Sequence, residues 1–378
     1  MAELLTRRSL ARLAGAAAAA SLLDAPRMGG ITDPASSAAP SSGPIRLSAN
    51  ENPYGPCAPA LEALAHSGGS AARYPGAALS QTRETIARLH GVVPEQIVLG
   101  CGSSDVLRMA DAAFLPTGRR LVAAEPTFEA VLMYAKVTRM EPVRVPLTAD
   151  FRHDLPAMAA ACDGSTGLVY VCNPNNPTGT IVGSKELEAF LERVPPSCVV
   201  LVDEAYHHFV EDPSYKSVLE LSKKRDNVVV ARTFSKIYGM AGMRLGYGVG
   251  PASRIAEMER YASWDNANQA ALAMALASLA DASAVPETRR RLNDTRRWLC
   301  AELDRDRRQY IPSHANFVMI DVGGDVAPVG ESFRKRDIQV GRKFASMPNW
   351  LRVSIGTREQ MVAFLAALRE IVPARAAA

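Results

Sequence analysis

The sequence predicts an α/β fold: a mainly parallel sheet with helices on both faces, plus a smaller α/β domain. Three observations predict it. Three short apolar runs, Gly167-Leu168-Val169-Tyr170-Val171-Cys172, Cys198-Val199-Val200-Leu201-Val202 and Val228-Val229-Val230-Ala231, have the unbroken hydrophobicity of strands covered on both faces. Helix-like stretches separate them, Ser184 to Arg193 being the clearer, so helical crossovers join parallel strands. A chain of 378 residues, 48% of them hydrophobic, buries a core large enough for one big and one smaller domain.

An earlier element repeats the pattern. Ile97-Val98-Leu99 reads as a strand, Gly100-Cys101-Gly102 as a turn, and Ser103-Ser104-Asp105 as the start of a helix whose apolar face includes Val106, Ala110 and Phe114. The free amides of that helix start, with two hydroxyls, suit a phosphate dianion, although an ordinary N-cap has the same signature. Each of the three apolar runs ends in polar residues: Asn173-Pro174-Asn175-Asn176-Pro177-Thr178-Gly179, Asp203-Glu204-Ala205-Tyr206, and Thr233-Phe234-Ser235-Lys236. Ligands of open α/β sheets bind at the carboxyl ends of the strands, so these clusters converge on one crevice. Lys236 would stand there in a Gly-rich, basic loop running to Arg244 and Gly246. A lone loop lysine is commonly just solvated, but burial beside a fixed cation such as Arg244 would lower its pKa and make it a nucleophile for an aldehyde.

Taken in order, eight segments resemble one family. They are Leu47 to Gly55, Arg73-Tyr74-Pro75, Gly102 to Asp105, Pro126-Thr127-Phe128, Asn175 to Gly179, Asp203 to Tyr206, Ser235-Lys236 through Gly246, and Leu351-Arg352-Val353-Ser354-Ile355-Gly356. The chain resembles the fold-type-I pyridoxal-phosphate aminotransferases (class I/II), and within them the histidinol-phosphate aminotransferase group. The resemblance implies the PLP-dependent transferase fold, with a sheet of the seven-stranded type, and pyridoxal 5'-phosphate as cofactor. It places residues 44–70 as an N-terminal arm contributing to the small domain, 71–265 as the large cofactor domain and 266–378 as the small C-terminal domain.

The same resemblance implies roles. Lys236 would form a Schiff base with the cofactor aldehyde and shuttle the proton of transamination. Asp203 would pair with the pyridine nitrogen and keep the ring an electron sink. Asn176 and Tyr206 would hydrogen-bond the phenolic oxygen, and Phe128 would stack on the ring. Ser103, Ser104, Ser235 and Arg244 would hold the phosphate, joined by Tyr74 from a second subunit of a homodimer. On the substrate side stand Arg352, which would grip an anionic group, Arg342 as a second anion contact, and Asn52. Expected partners are a small amine or amino-acid donor, histidinol phosphate-like, and a 2-oxo acid acceptor. The motifs leave open whether the anion is a carboxylate or a phosphate. They also leave open decarboxylation, elimination or cyclisation on the same fold, and a non-catalytic cofactor-binding protein.

With 43 basic and 39 acidic residues, the net charge of +4 is too small and dispersed to imply nucleic acid. The six cysteines have no metal or redox spacing, and adjacent residues such as His207-His208 rarely point at one ion, so no metal is expected. At the N-terminus, Thr6-Arg7-Arg8-Ser9-Leu10 followed by an alanine-rich stretch resembles a twin-arginine export signal, with a spacer rich in Pro, Ser and Ala completing residues 1–43. The expected location is the periplasm, with the cytoplasm as the alternative. The apolar stretch at residues 13–23 falls short of the roughly twenty residues a bilayer requires, so it is an address and not an anchor.

Overall fold

The computed structural model describes residues 43–137, 140 and 142–373. The export-signal-like segment and its spacer lie outside the described residues, save Gly43. A short strand β1 (Ile45–Leu47) precedes β2 (Ile97–Gly100), β3 (Arg120–Glu125), β4 (Val143–Pro146), β5 (Thr166–Cys172), β6 (Val199–Asp203), β7 (Val228–Thr233) and β8 (Gly246–Val249). The last seven form one sheet in the order β2-β8-β7-β6-β5-β3-β4. Neighbours from β7 to β4 run parallel, whereas β8 is antiparallel to both β2 and β7.

Both faces of this sheet are covered, which is why its strands read as continuous apolar runs. Along β5, Val169 and Val171 face one core while Leu168, Tyr170 and Cys172 face another, and β6 and β7 alternate in the same way. The helix Ser184–Arg193 closes the first face through Leu187, Phe190 and Leu191. The helix Ser103–Phe114 closes the second with the predicted Val106, Ala110 and Phe114. The helices Ala58–His66 and Gln269–Ala280 also join the first core, through Ala60, Ala271 and Ala275.

The remaining strands are β9 (Tyr310–Ile311), β10 (Phe317–Asp321), β11 (Ile338–Val340) and β12 (Trp350–Ser354). β12-β10-β9 make an antiparallel sheet, and β11 pairs in parallel with β1. Phe317, Val318, Ile320, Leu351 and Val353 build a further core that also takes in Leu47, Tyr206 and Ile237.

β7 extends two residues past the apolar run in which it was read, and takes in Arg232. A charge is tolerated there because Arg232 Nη2 and Nε donate to Glu204 Oε2 at 2.8 and 3.2 Å, both residues being buried. The Ser217 hydroxyl and the Val218 amide, each at 2.8 Å, complete the shell around the Glu204 carboxylate. Burial pushes His90 down to about 3, so its ring is neutral, and its Nε2 shares a 2.9 Å hydrogen bond with the hydroxyl of Tyr247, a residue that also interacts with Arg232. The two strands that end at Asp203 and Thr233 are thereby cross-linked by a satisfied ionic network.

Candidate active site

Because β5, β6 and β7 are parallel, their carboxyl ends open on one edge of the sheet. A cavity of about 340 Å³ lies there. Its walls include Ser103, Ser104, Phe128, Asn176, Asp203, Tyr206, Ser235, Lys236, Arg244, Arg342 and Arg352, residues drawn from positions scattered over the chain.

Lys236 follows β7, and its Nζ donates to the Asn50 and Ala49 carbonyl oxygens at 3.1 and 3.4 Å. Burial, together with the nearby Arg352 and Arg244 guanidinium groups, lowers the amine to about 8. Burial acts on Asp203 with the opposite sign and raises it to about 6. The Tyr170 hydroxyl donates to Asp203 Oδ2 at 2.9 Å and the Ala205 amide to Oδ1 at 3.0 Å, both favouring the ionised form. The Tyr206 hydroxyl accepts from the side-chain amides of Asn50 at 3.1 Å and Asn176 at 3.5 Å. Lys236 Nζ sits 5.6 Å from the centre of the Tyr206 ring.

An anion cradle occupies one end. Gly102, at φ 80°, turns the chain into the helix that starts at Ser103. Arg244, itself left-handed at φ 58°, lays its guanidinium against that turn, where a Cβ on Gly102 would stand 2.2 Å from Arg244 Nη2. Only glycine fits there. Arg244 Nη1 donates to the Ala241 carbonyl at 2.9 Å and to Ser235 Oγ at 3.4 Å. Helix amides, the hydroxyls of Ser103, Ser104 and Ser235, and a guanidinium thus share one small space, a donor set that suits a phosphate.

At the other end, Arg352 on β12 donates to Asn176 Oδ1 at 2.6 Å and to the Ser48 carbonyl at 3.0 Å. Its Nε is buried and has no hydrogen-bond partner among the described residues. Arg342 also lines the cavity, but its guanidinium is ion-paired with Glu129.

Two predicted residues stand elsewhere. Asn52 is absent from the cavity wall: its amide donates to the Ile237 and Gly55 carbonyls, at 3.1 and 3.4 Å, and its carbonyl accepts from the Tyr54 amide at 3.0 Å. Its side-chain polar atoms bond the local turn and the residue after Lys236. Tyr74 is 87% exposed and is not among the residues that line its own chain's cavity.

Sequence reading overlooked Asn50 and Tyr170. Asn50, at φ 54°, bonds Tyr206 and also the Ser354 hydroxyl, which accepts from its backbone amide at 2.8 Å and donates to Asn50 Oδ1 at 3.1 Å. It lay inside a quoted segment without a role. The signal for Tyr170 was a hydroxyl in an otherwise aliphatic buried strand, which must find a partner.

The sequence model of the family "Aminotransferase class I and II" matches residues 42–368. Histidinol-phosphate aminotransferase of Moorella thermoacetica is 39% identical over 331 residues, covering 87% of this chain and 85% of that protein. The Symbiobacterium thermophilum histidinol-phosphate aminotransferase is 40% identical over 327 residues, with 86% and 90% covered. Among solved structures, histidinol-phosphate aminotransferase from Sinorhizobium meliloti, in complex with pyridoxal-5'-phosphate, superposes with a TM-score of 0.81 at 26% identity, over 87% of this chain and 90% of that one.

The geometry makes the lysine amine itself testable. Reductive trapping of Lys236 by an aldehyde probe should accelerate as pH rises through about 8 and level off above it. Arg352→Met, by removing a cation that favours the neutral amine, should move that midpoint upward. A wild-type midpoint at the ordinary lysine value near 10.4 would contradict the geometry.

Proposed function

The chain belongs to the class I and II aminotransferase family and is a pyridoxal-phosphate-dependent transaminase, and from that premise we propose how its residues divide the work. The cavity fits the cofactor: a cradle that a Gly102 side chain would fill, a buried carboxylate and a buried amine stand along one wall. When bound, pyridoxal phosphate supplies an aldehyde and an electron-withdrawing ring. Ser103, Ser104, Ser235 and Arg244 would hold its phosphate, and Asp203 would pair with the pyridine nitrogen and keep it protonated. Phe128 would cover the ring, and Asn176 and Tyr206 would donate to the phenolic oxygen. Lys236 Nζ is the amine that would face the aldehyde, and once free it would serve as the base that takes and returns the proton of the donor's α carbon.

Arg352 takes the anionic group of the substrate. Among the described residues its guanidinium hydrogen-bonds no carboxylate and lies beside Asn176, so an incoming anion is held next to the reacting centre. The donor is an amine bearing one anion, histidinol phosphate-like or an L-amino acid, and the acceptor is a 2-oxo acid. The observation that carries the reading is the buried Lys236 amine held near neutrality in one cavity with Asp203 and the Ser103 helix start.

We also infer a homodimer. Tyr74, Tyr261 and Trp264 expose large rings, Trp264 by 97%. Gln269 donates to the Tyr74 carbonyl, Arg108 to the Tyr261 carbonyl and Asn266 to the Leu99 carbonyl, so these rings rim the chain beside the phosphate cradle. A second copy covers them and receives Tyr74 at its own phosphate site. Export is likewise inferred: Arg7-Arg8 and the alanine-rich stretch stand before residue 42, where the family match begins.

The visible spectrum of the protein with pyridoxal phosphate tests the central reading. A yellow band that donor amines bleach and a 2-oxo acid restores is expected, and Lys236→Ala should lack it. A band unresponsive to every amine, or one retained in Lys236→Ala, would overturn the assignment. For the dimer, Tyr74→Phe should weaken cofactor binding about tenfold, the loss of one hydrogen bond to a charged group; unchanged affinity by absorbance titration would remove Tyr74 from the site. For export, fractionation should recover a shortened chain outside the cytoplasm, and full-length protein confined to the cytoplasm would refute the inference.

A further inference from the structure

Besides Arg244, two arginines line the cavity, and they differ in how their charge is answered. Arg352 is buried, and its hydrogen bonds go to neutral oxygens of Asn176 and Ser48. Arg342 is half exposed on the loop after β11; it donates to Glu129 and to the Lys343 carbonyl, and stacks 4.4 Å from the centre of the Phe344 ring. Glu129 follows Thr127 and Phe128 on the loop after β3. The ion pair therefore joins a loop of the large sheet to a loop of the small ones, across the cavity wall that both residues line. Both partners retain about half their exposure, so the pair is weak enough for a competing anion to open.

Resting on the transaminase reading above, we propose that Glu129 is a specificity-determining residue that guards Arg342. A substrate with one anion takes Arg352 and leaves the Arg342–Glu129 pair intact. A substrate with a second anion on its far end must displace the Glu129 carboxylate to reach Arg342, and pays for doing so in affinity. The site thus favours donors whose side chain is uncharged or offers N–H groups, to which the Glu129 oxygens are available as acceptors. A diacid binds only by exchange with this internal carboxylate.

Calorimetric titration of the protein loaded with pyridoxal phosphate, using glutarate as a two-anion probe and 3-phenylpropionate as a one-anion probe, tests this. Glu129→Gln should tighten glutarate by about fivefold, the scale of one exposed ion pair, and change 3-phenylpropionate by less than about twofold. In an Arg342→Gln background the glutarate gain should vanish, since its recipient is gone. Equal changes for both probes, no tightening of glutarate, or a gain that survives Arg342→Gln would each overturn the proposal. Failure of the transaminase reading would show separately, as a wild-type spectrum that no amine alters, because the calorimetric ratio needs no turnover.

Discussion

The buried ion pair between Arg232 and Glu204 is the constraint on which the rest of the site depends. Successive strand residues point to opposite faces of a sheet, so fixing Glu204 on one face fixes Asp203 on the other. The Glu204 amide also bonds the Ala231 carbonyl at 2.9 Å, which locks the end of β6 against β7 two residues before Thr233. Desolvating two charges is expensive, and removing one partner of such a pair costs roughly 3 kcal/mol or more. What the pair contributes here is registry: the carboxylate of β6 and the amine after β7 are held to one geometry from behind, by groups that never enter the cavity.

Within the cavity the same desolvation acts twice, with opposite signs. It brings the Lys236 amine down towards neutrality and the Asp203 carboxyl up to about 6. Asp203 is kept largely ionised in neutral solution by the Tyr170 hydroxyl, the Ala205 amide and the nearby lysine. Lys236 donates to two carbonyl oxygens, and around it Arg352 and Arg244 favour the neutral amine while Glu51 and Asp203 oppose them. A nucleophile and a carboxylate thus share one cavity because burial acts on them with opposite signs, while the hydrogen bonds that Asp203 accepts return much of its charge.

The parts of the fold legible in the sequence were those with a one-dimensional signature. Val228 to Ala231 read as a strand because both faces are covered, and the Ser103 helix because its apolar face recurs at helical spacing. Arg232 broke the apolar run, since a buried charge looks exposed until its partner 28 positions away is known. β8 was hidden in the same manner: Gly246-Tyr247-Gly248-Val249 carries two glycines because neighbouring atoms, the Ser103 amide and the Val98 side chain among them, leave no room for Cβ atoms. Motif residues such as Lys236, Asp203 and Arg352 were legible as types at strand ends. Asn50 was overlooked because its role lies in distant contacts, not in its neighbours in sequence, and the Glu129 partner of Arg342 has no local signal at all.

Asn50 has a consequence for the order in which this molecule becomes itself. One residue holds Tyr206, 156 positions away, and Ser354, 304 positions away, while its carbonyl accepts from both Lys236 and Asn316. Contacts of such sequence separation carry a large loop-closure cost and form late. The lysine therefore gains its acceptors only when the N-terminal segment and the last strand have both docked. Reactivity at Lys236 thus reports a chain in which both ends have joined the large sheet's edge.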